Sequence, residues 1–535
     1  MATFAVGFDG TRVVDASSTT GWTAEGTTPT AEPDFFYQGT GSISAKVKTT
    51  EAGFYYTSSS QNLSTNVGVW IAKILATTKD SLDGNGLLVR IGSATTAYYE
   101  YRKFSSTTYP IAGGWQILCI DPNISQWRDA TSGSPNLSAV IYWAIRADFS
   151  ATAKSENVAM DAIDWIPSGK GLTCSDGFSV AAGTWANILT ADEGTANNRW
   201  GIVSSKSGIL YVNGTITFGD GGTGVTFSDS LQTIVFPSQY VSTGFCGLFF
   251  DLTNSNTIII MTQCVFRGRG ALSGSDDTRP DYTVSGTTSS SGINLTGCQF
   301  NVYRLITFNS KVTALNCTFI SGGAAIIADN ADLRGSSLSG FTGAADSSAL
   351  RWNSSSNPNG KLDNMTFTKG STATHAIAFG TASATTIGLT GITFSGYNAS
   401  DGQNDSMLYF EDRGSDTTWT INVSGGTTPS YKKARAGDTV NVVSTVTVTF
   451  TGMKDNSEVR IYDHDTGVEI DGIENATSGT TDNRSFAWSD TVGNSVDYVI
   501  HNLNYETIRV NSFIVPSVSS SIPIQQRIDR NYSNP

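Results

Sequence analysis

The chain has 535 residues, too many for one ordinary hydrophobic core, so two to four domains are expected. Charged residues make up only 15%, against a typical value of about 25%, while 55 glycines and abundant Ser, Thr and Asn disfavour long helices and predict an all-β protein. The net charge of −13 argues against nucleic-acid and anionic-membrane partners, and leaves basic partners and neutral glycans open.

The opening MATFAVGFDG lacks a basic segment followed by an apolar one, and no stretch approaches the ~18 apolar residues of a membrane span. The expectation is a product made in the cytoplasm without a signal peptide and not inserted in a membrane. The six cysteines form no CxxC pair or Cys/His set, so they read as reduced, buried small apolar residues, with no cofactor implied.

Residues 1–168 hold Trp22, Trp70, Trp115, Trp127, Trp143 and Trp165 among short alternating runs such as VGVWIAKIL, TAYYEYRKF and WQILCID. Gly, Ser, Asn and Pro turns separate these runs, which predicts a β-sandwich with the opening FDG and the closing MDAIDWIP near paired strands. In layout this stretch resembles the concanavalin-like and carbohydrate-binding jelly rolls. Trp22, Tyr98 and Tyr99 are the candidates for stacking on sugar rings, with core packing as the competing fate.

From 169 to 435 a repeat emerges in MTQCVF, LTGCQF, ALNCTF, LRGSSL, LDNMTF and LTGITF. Residues two apart share a strand face, so Cys264/Phe266, Cys298/Phe300, Cys317/Phe319, Ser336/Leu338, Met365/Phe367 and Ile392/Phe394 should point inward. The residue before each pair is Gln263, Gly297, Asn316, Gly335, Asn364 or Gly391, and Gly and Asn enter the left-handed region cheaply. Met261, Leu295, Ala314, Leu333, Leu362 and Leu389 form a further apolar column. Pairs beginning at 264, 298, 317, 336, 365 and 392 fit a coil of about twenty residues with loops inserted in some turns. Upstream, GTITFG, GVTFSD and TIVFPS read as different sides of the first coils, and 268–292 as an exposed loop.

The segment resembles the pectate-lyase-like and phage-tailspike-like right-handed parallel β-helices. That resemblance implies a bacteriophage virion surface protein of tail-fibre or spike type, a homotrimer that contacts other virion proteins and attaches to host surface glycan. An enzymatic tailspike that cleaves polysaccharide and a capsid decoration protein are the alternatives.

Glycan cleavage by hydrolysis needs two carboxylates about 5–10 Å apart. The candidates are Asp276, Asp277 and Asp281 in the 268–292 segment, Asp329 with Asp332, and Glu411 with Asp412; solvated loop acids are the competing reading. A lyase base would come from Arg267, Arg269 or Arg279, and Arg279 is also a candidate glycan contact. His375, His464 and His501 lie far apart without a Ser or Cys motif, which speaks against a nucleophilic triad or a His-based metal site. Asp463 and Asp465, and Asp401 and Asp405, read as turn residues rather than calcium ligands.

After Ala436, VNVVSTVTVTFTG, EVRIYDHDTGVEIDG and VDYVIHNLNYETIRV predict a small β-sandwich over 436–520, with a hairpin turning near Asp465, Thr466 and Gly467. The polar 521–535 reads as an extended arm that orders only against another subunit.

Overall fold

The computed structural model describes residues 4–529 except 27, 35, 37, 47–50, 65–67, 77–81, 105–114, 124, 126–127, 150–156, 168–169, 176–181, 194–199, 237–245, 254–255, 269–278, 289, 344–346, 371–372 and 517–518. It is nearly all β, with one α-helix, Trp185–Glu193, among the described residues. The chain divides into two compact units, Met1–Ile326 and Ile327–Pro535.

The first unit contains the expected sandwich. Its first sheet orders Gln116–Ile120, Gly68–Ala76, Asn157–Pro167, Ser42–Lys46 and Thr30–Glu32, with Thr11–Val14 also paired to Asn157–Pro167. Its second sheet orders Ala130–Ser132, Ala97–Phe104, Leu82–Ala94, Val140–Phe149, Glu51–Gln61 and Trp22–Ala24. Ile43, Phe54, Val89, Ile91, Trp143, Ile145 and Met160 are fully buried between them, because strand alternation sends every second residue inward.

The rest of this unit is a stack of parallel strands. In chain order Thr215–Phe218, Thr226–Ser230 and Thr233–Phe236 enter three different sheets, as expected of three sides of one turn. Each then pairs in parallel with the strand three places further on: Gly247–Asp251, Ile258–Thr262 and Val265–Gly268. Two further turns follow the same order, so Phe266 sits in register with Phe300 and Phe300 with Phe319. Their rings stack at 5.0 and 5.1 Å between centroids.

The chain's first strand belongs to this stack. Ala5–Phe8 pairs antiparallel with Gly171–Ser175, so the sandwich is an insertion after the first rung, and the expected boundary at 168 does not separate the two. The 268–292 segment also departs from expectation. Asp281–Ser285 is a strand of the stack with Tyr282 and Val284 buried, because this two-residue inward pair supplies the rung between Gly247–Asp251 and Leu305–Phe308.

In the second unit Ser337–Ser339, Thr366–Thr368 and Thr393–Ser395 continue the pattern, with Leu338, Phe367 and Phe394 in register. Leu338 and Phe367 are buried, but Phe394 is only half-buried, since its strand is the last in the order of its sheet among the described strands. The 15-residue strand Thr439–Met453 pairs in parallel with Thr418–Ser424 through Thr445, and from Thr445 onward antiparallel with Asn483–Thr491. One strand therefore serves both the stack and the terminal sheets, and position 436 is no boundary.

The terminal sheets close over Val448, Phe450, Ile461, Trp488 and Ile500. The expected hairpin joins Glu458–Asp463 to Glu469–Ile473. The described part of the expected 521–535 arm is not free: Ser520–Pro523 pairs with Thr439–Met453, Ile524 is buried, and Gln526 accepts from the Lys454 amide at 2.7 Å, while 530–535 lie outside the described residues. These contacts arise because Ile522 and Ile524 supply inward residues that the polar composition masks.

Candidate functional site

All six residues expected to bend the chain have positive φ: Gln263, Gly297, Asn316, Gly335, Asn364 and Gly391. The inward pairs that follow them are buried from Cys264, Phe266, Cys298, Phe300, Cys317 and Phe319 through Met365, Phe367 and Ile392. Five cysteines, Cys174, Cys246, Cys264, Cys298 and Cys317, are free and buried; the side chain of Cys119 lies outside the described ones.

The candidate carboxylates are scattered, and Asp281, Asp332, Glu411 and Asp412 are engaged. Asp276 and Asp277 lie outside the described residues, as does Arg269. Asp281 pairs with Arg304, and Asp332 is gripped by both Arg334 Nε and Nη2 at 2.9 and 2.8 Å, while Asp329 is exposed. Glu411 accepts both Nε and Nη2 of Arg351 at 2.6 and 2.7 Å, and Asp412 lies 3.6 Å from Arg435. Arg267 is exposed on its strand, and the Arg279 guanidinium lies against Gly323. Asp463, Asp401 and Asp405 serve local structure, accepting from Thr466 N, Tyr431 N and Lys369 Nζ respectively.

The aromatic candidates divide by strand alternation. Trp22 is 8% exposed and packs on Phe54 and Tyr56 at 5.4 and 5.2 Å, so it is a core residue and not a sugar platform. Tyr99 likewise packs against the sandwich core, with the Arg128 guanidinium 3.7 Å from its ring. Tyr98, its neighbour, points to the opposite face of the second sheet.

That face carries a connected aromatic and charged network, in which Tyr142, Arg90 and Glu100 are buried and Tyr55 and Tyr98 are half-buried. Cross-strand register places Tyr55 beside Ala144, Ala144 beside Arg90 and Arg90 beside Glu100, while Tyr142 and Tyr98 flank Gly92. Tyr142 lies 5.2 Å from Tyr55 and 5.7 Å from Tyr98, and the Arg90 guanidinium sits 4.7 Å from the Tyr98 ring. Gly92 matters here: a Cβ there would meet the backbone oxygen of Ala97 at 2.1 Å, so the close approach of Tyr98 requires glycine.

Charge is paired across this face. Arg90 donates to Glu25 and Glu100 at 2.8 Å each, Arg102 donates to Glu100 at 2.8 Å, and the Tyr142 hydroxyl donates to Glu25 Oε1 at 2.9 Å. Burial opposes the charge on Arg90, yet Glu25 and Glu100 outweigh it and raise its pKa. Burial likewise opposes ionised Glu100, but hydrogen bonds from Arg102 and Arg90 hold its carboxyl below the usual range. Glu25 Oε2 is buried beside the tyrosines with no hydrogen-bond partner among the described residues.

Tyr55, Tyr142, Arg90, Glu25 and Glu100 were not singled out from the sequence. The signal within TAYYEYRKF was period two, which puts Tyr98, Glu100 and Arg102 on one face and Tyr99 and Tyr101 on the other. A second missed cluster lies in the other unit, where His464 stands between Asp497 and Ser512.

No family model and no curated protein matches the chain. Among solved structures it is similar to a family 16 carbohydrate-binding module, at 15% identity over 29% of this chain and 98% of that one, with a TM-score of 0.20. A family 11 module from Clostridium thermocellum in complex with a β-1,3-1,4-mixed-linked tetrasaccharide is 14% identical over 30% of this chain and 95% of that one, with a TM-score of 0.22. The catalytic domain of a GH87 α-1,3-glucanase in complex with tetrasaccharides is 10% identical over 82% of this chain and 87% of that one, with a TM-score of 0.25.

Proposed function

We propose that this chain is a glycan-binding attachment protein of the virion-surface type, and that the outer face of the second sandwich sheet holds the glycan. The observation that carries the reading is Glu25, whose Oε1 is fixed by Arg90 and Tyr142 while its buried Oε2 has no hydrogen-bond partner among the described residues, an acceptor that a sugar hydroxyl would satisfy. Sugars present C–H faces and hydroxyl donors together. The half-buried Tyr55 and Tyr98 offer ring surface to the former, and a fixed carboxylate accepts from the latter. The network is pre-organised by four ion-paired or hydrogen-bonded contacts, so little ordering cost remains on binding.

The virion assignment draws on the acidic, Gly-rich, all-β composition and on stacked parallel turns beside a sandwich. A homotrimer attached to other virion proteins is part of this proposal, and the chain mass of 56.7 kDa makes it readable by sedimentation equilibrium. Cleavage of glycan by paired carboxylates is not favoured, because Asp281, Asp332 and Glu411 are each engaged by an arginine.

The test is affinity electrophoresis of the full chain against a panel of neutral and acidic polysaccharides, beside Tyr98→Ala and Glu25→Gln. Retardation by at least one polysaccharide is expected, with binding weakened roughly ten-fold or more in either variant, about 1.4 kcal/mol. Retardation unchanged in both variants would move the site elsewhere.

A further inference from the structure

The terminal sheets join three residues that the sequence keeps apart. His464 Nδ1 lies 2.7 Å from Asp497 Oδ1, and His464 Nε2 lies 2.8 Å from Ser512 Oγ. The proton positions follow from chemistry: an ionised carboxylate only accepts, so Nδ1 carries the hydrogen toward Asp497. In the neutral ring Nε2 is then the acceptor, and Ser512 Oγ–H donates to it. A hydroxyl aimed at an imidazole that is itself oriented by a carboxylate is the arrangement that activates serine as a nucleophile.

The backbone supports the same reading. Glu458–Asp463 pairs with Ser495–Asn502, which pairs with Tyr505–Ile514, so the three residues come from neighbouring strands or their ends. The register slips between Val496 and Tyr498, where Asp497 faces a bulge containing Ser512. Ser512 has φ 54°, in the left-handed region that strains a non-glycine residue. Bulges re-aim side chains near functional sites, and here the bulge turns Ser512 onto His464. Asp497 anchors the bulge by also accepting from the Ser512 amide at 2.8 Å, and Ser495 Oγ donates to Ser512 Oγ at 3.3 Å.

We infer that Ser512, His464 and Asp497 form a serine-nucleophile site that hydrolyses small, solvent-presented O-acyl esters. Ser512 Oγ bonds to the acyl carbon as its proton passes to His464 Nε2. The carbon–alkoxy bond breaks, and the leaving alcohol takes that proton. Water then adds to the acyl-serine carbon through the same imidazole, the carbon–Oγ bond breaks, and Ser512 regains its hydrogen. Asp497 is a positioning residue that holds the tautomer. All three side chains are partly open to solvent, with His464 at 37% and Asp497 at 31%. That openness favours esters over amides, because an amine leaving group demands stronger stabilisation than a wet surface supplies.

The experiment uses the full chain with p-nitrophenyl acetate and, separately, a fluorophosphonate probe followed by peptide mapping. Expected are turnover above buffer and a covalent label on Ser512. Ser512→Gly, which relieves the positive-φ cost, should fold and lose both label and turnover by a factor of about 10². Asp497→Asn should lower kcat with KM unchanged. His501→Ala, which removes an exposed histidine elsewhere, should retain full activity. Turnover equal in Ser512→Gly, or a label absent from Ser512 in the wild-type chain, would overturn the inference and leave the cluster as an anchor for the bulge.

Discussion

Glu100 holds two arginines at once, and the sign of its pKa shift sets where that arrangement fails. Its folded pKa lies below the ordinary value of 4.5, so its contribution is complete above 4.5 and is lost as pH falls through the lower folded value. Polysaccharide retardation and the unfolding temperature of the sandwich should therefore stay flat from neutral pH to about 4.5 and decline only in stronger acid. A decline already at pH 6 would show that another group governs the face. At this scale the bends of the stack were legible, since Gly and Asn at fixed offset from an inward pair announce the left-handed region, and Gln263 was carried by the pattern of its neighbours. Tyr98 was legible too, whereas Glu25 was not. Glu25 follows a three-residue edge strand and reaches Arg90 across 65 positions, a distance that no local pattern encodes. The same holds for His464, Asp497 and Ser512, which meet through the register of three strands and one bulge.

Thr439–Met453 is the element on which the second unit turns. Its first half takes its hydrogen bonds from a parallel neighbour and its second half from an antiparallel one, and Val448 is paired on both sides, with Trp488 and with Ser520. Proline at 448 removes an amide hydrogen that has a partner strand in either direction, which predicts a loss of about 1–3 kcal/mol. Val448→Pro should bring the loss of amide-exchange protection in Thr439–Met453 to lower denaturant, and an unchanged midpoint would mean that the strand tolerates the break. The strong alternation of VNVVSTVTVTF made this strand legible as a strand, but not as one shared by two structures, because alternation fixes which face is buried and says nothing of which neighbour lies alongside. Asp281–Ser285 was hidden for the opposite reason: only Tyr282 and Val284 mark it inside a long polar stretch.

On the scale of the molecule, the all-β class was legible from composition, and the inward pairs of the stack from repeat spacing. The joins were not, because both are made by strands that cross the changes in texture. Ala5–Phe8 lies on the first rung before the sandwich begins, and Thr439–Met453 leaves the last rung to found the terminal sheets. A fragment starting at 169 would therefore present Gly171–Ser175 as an open edge, the kind of edge that pairs with other chains.

The register of the stack has a further consequence. Gln299–Asn301, Leu305–Phe308 and Val312–Leu315 supply one rung to each of three sheets, and Phe319 repeats the position of Phe300 19 residues on. The stack is thus a ruler with one whole turn as its unit. Excising 299–317 should bring Phe319 onto Phe266 and shorten the stack by one spacing of about 4.8 Å with folding intact, as thermal unfolding would report. Excising 299–308 alone should leave the rungs out of phase and the protein insoluble. The number of rungs in such a stack changes in whole turns, by excision or by duplication.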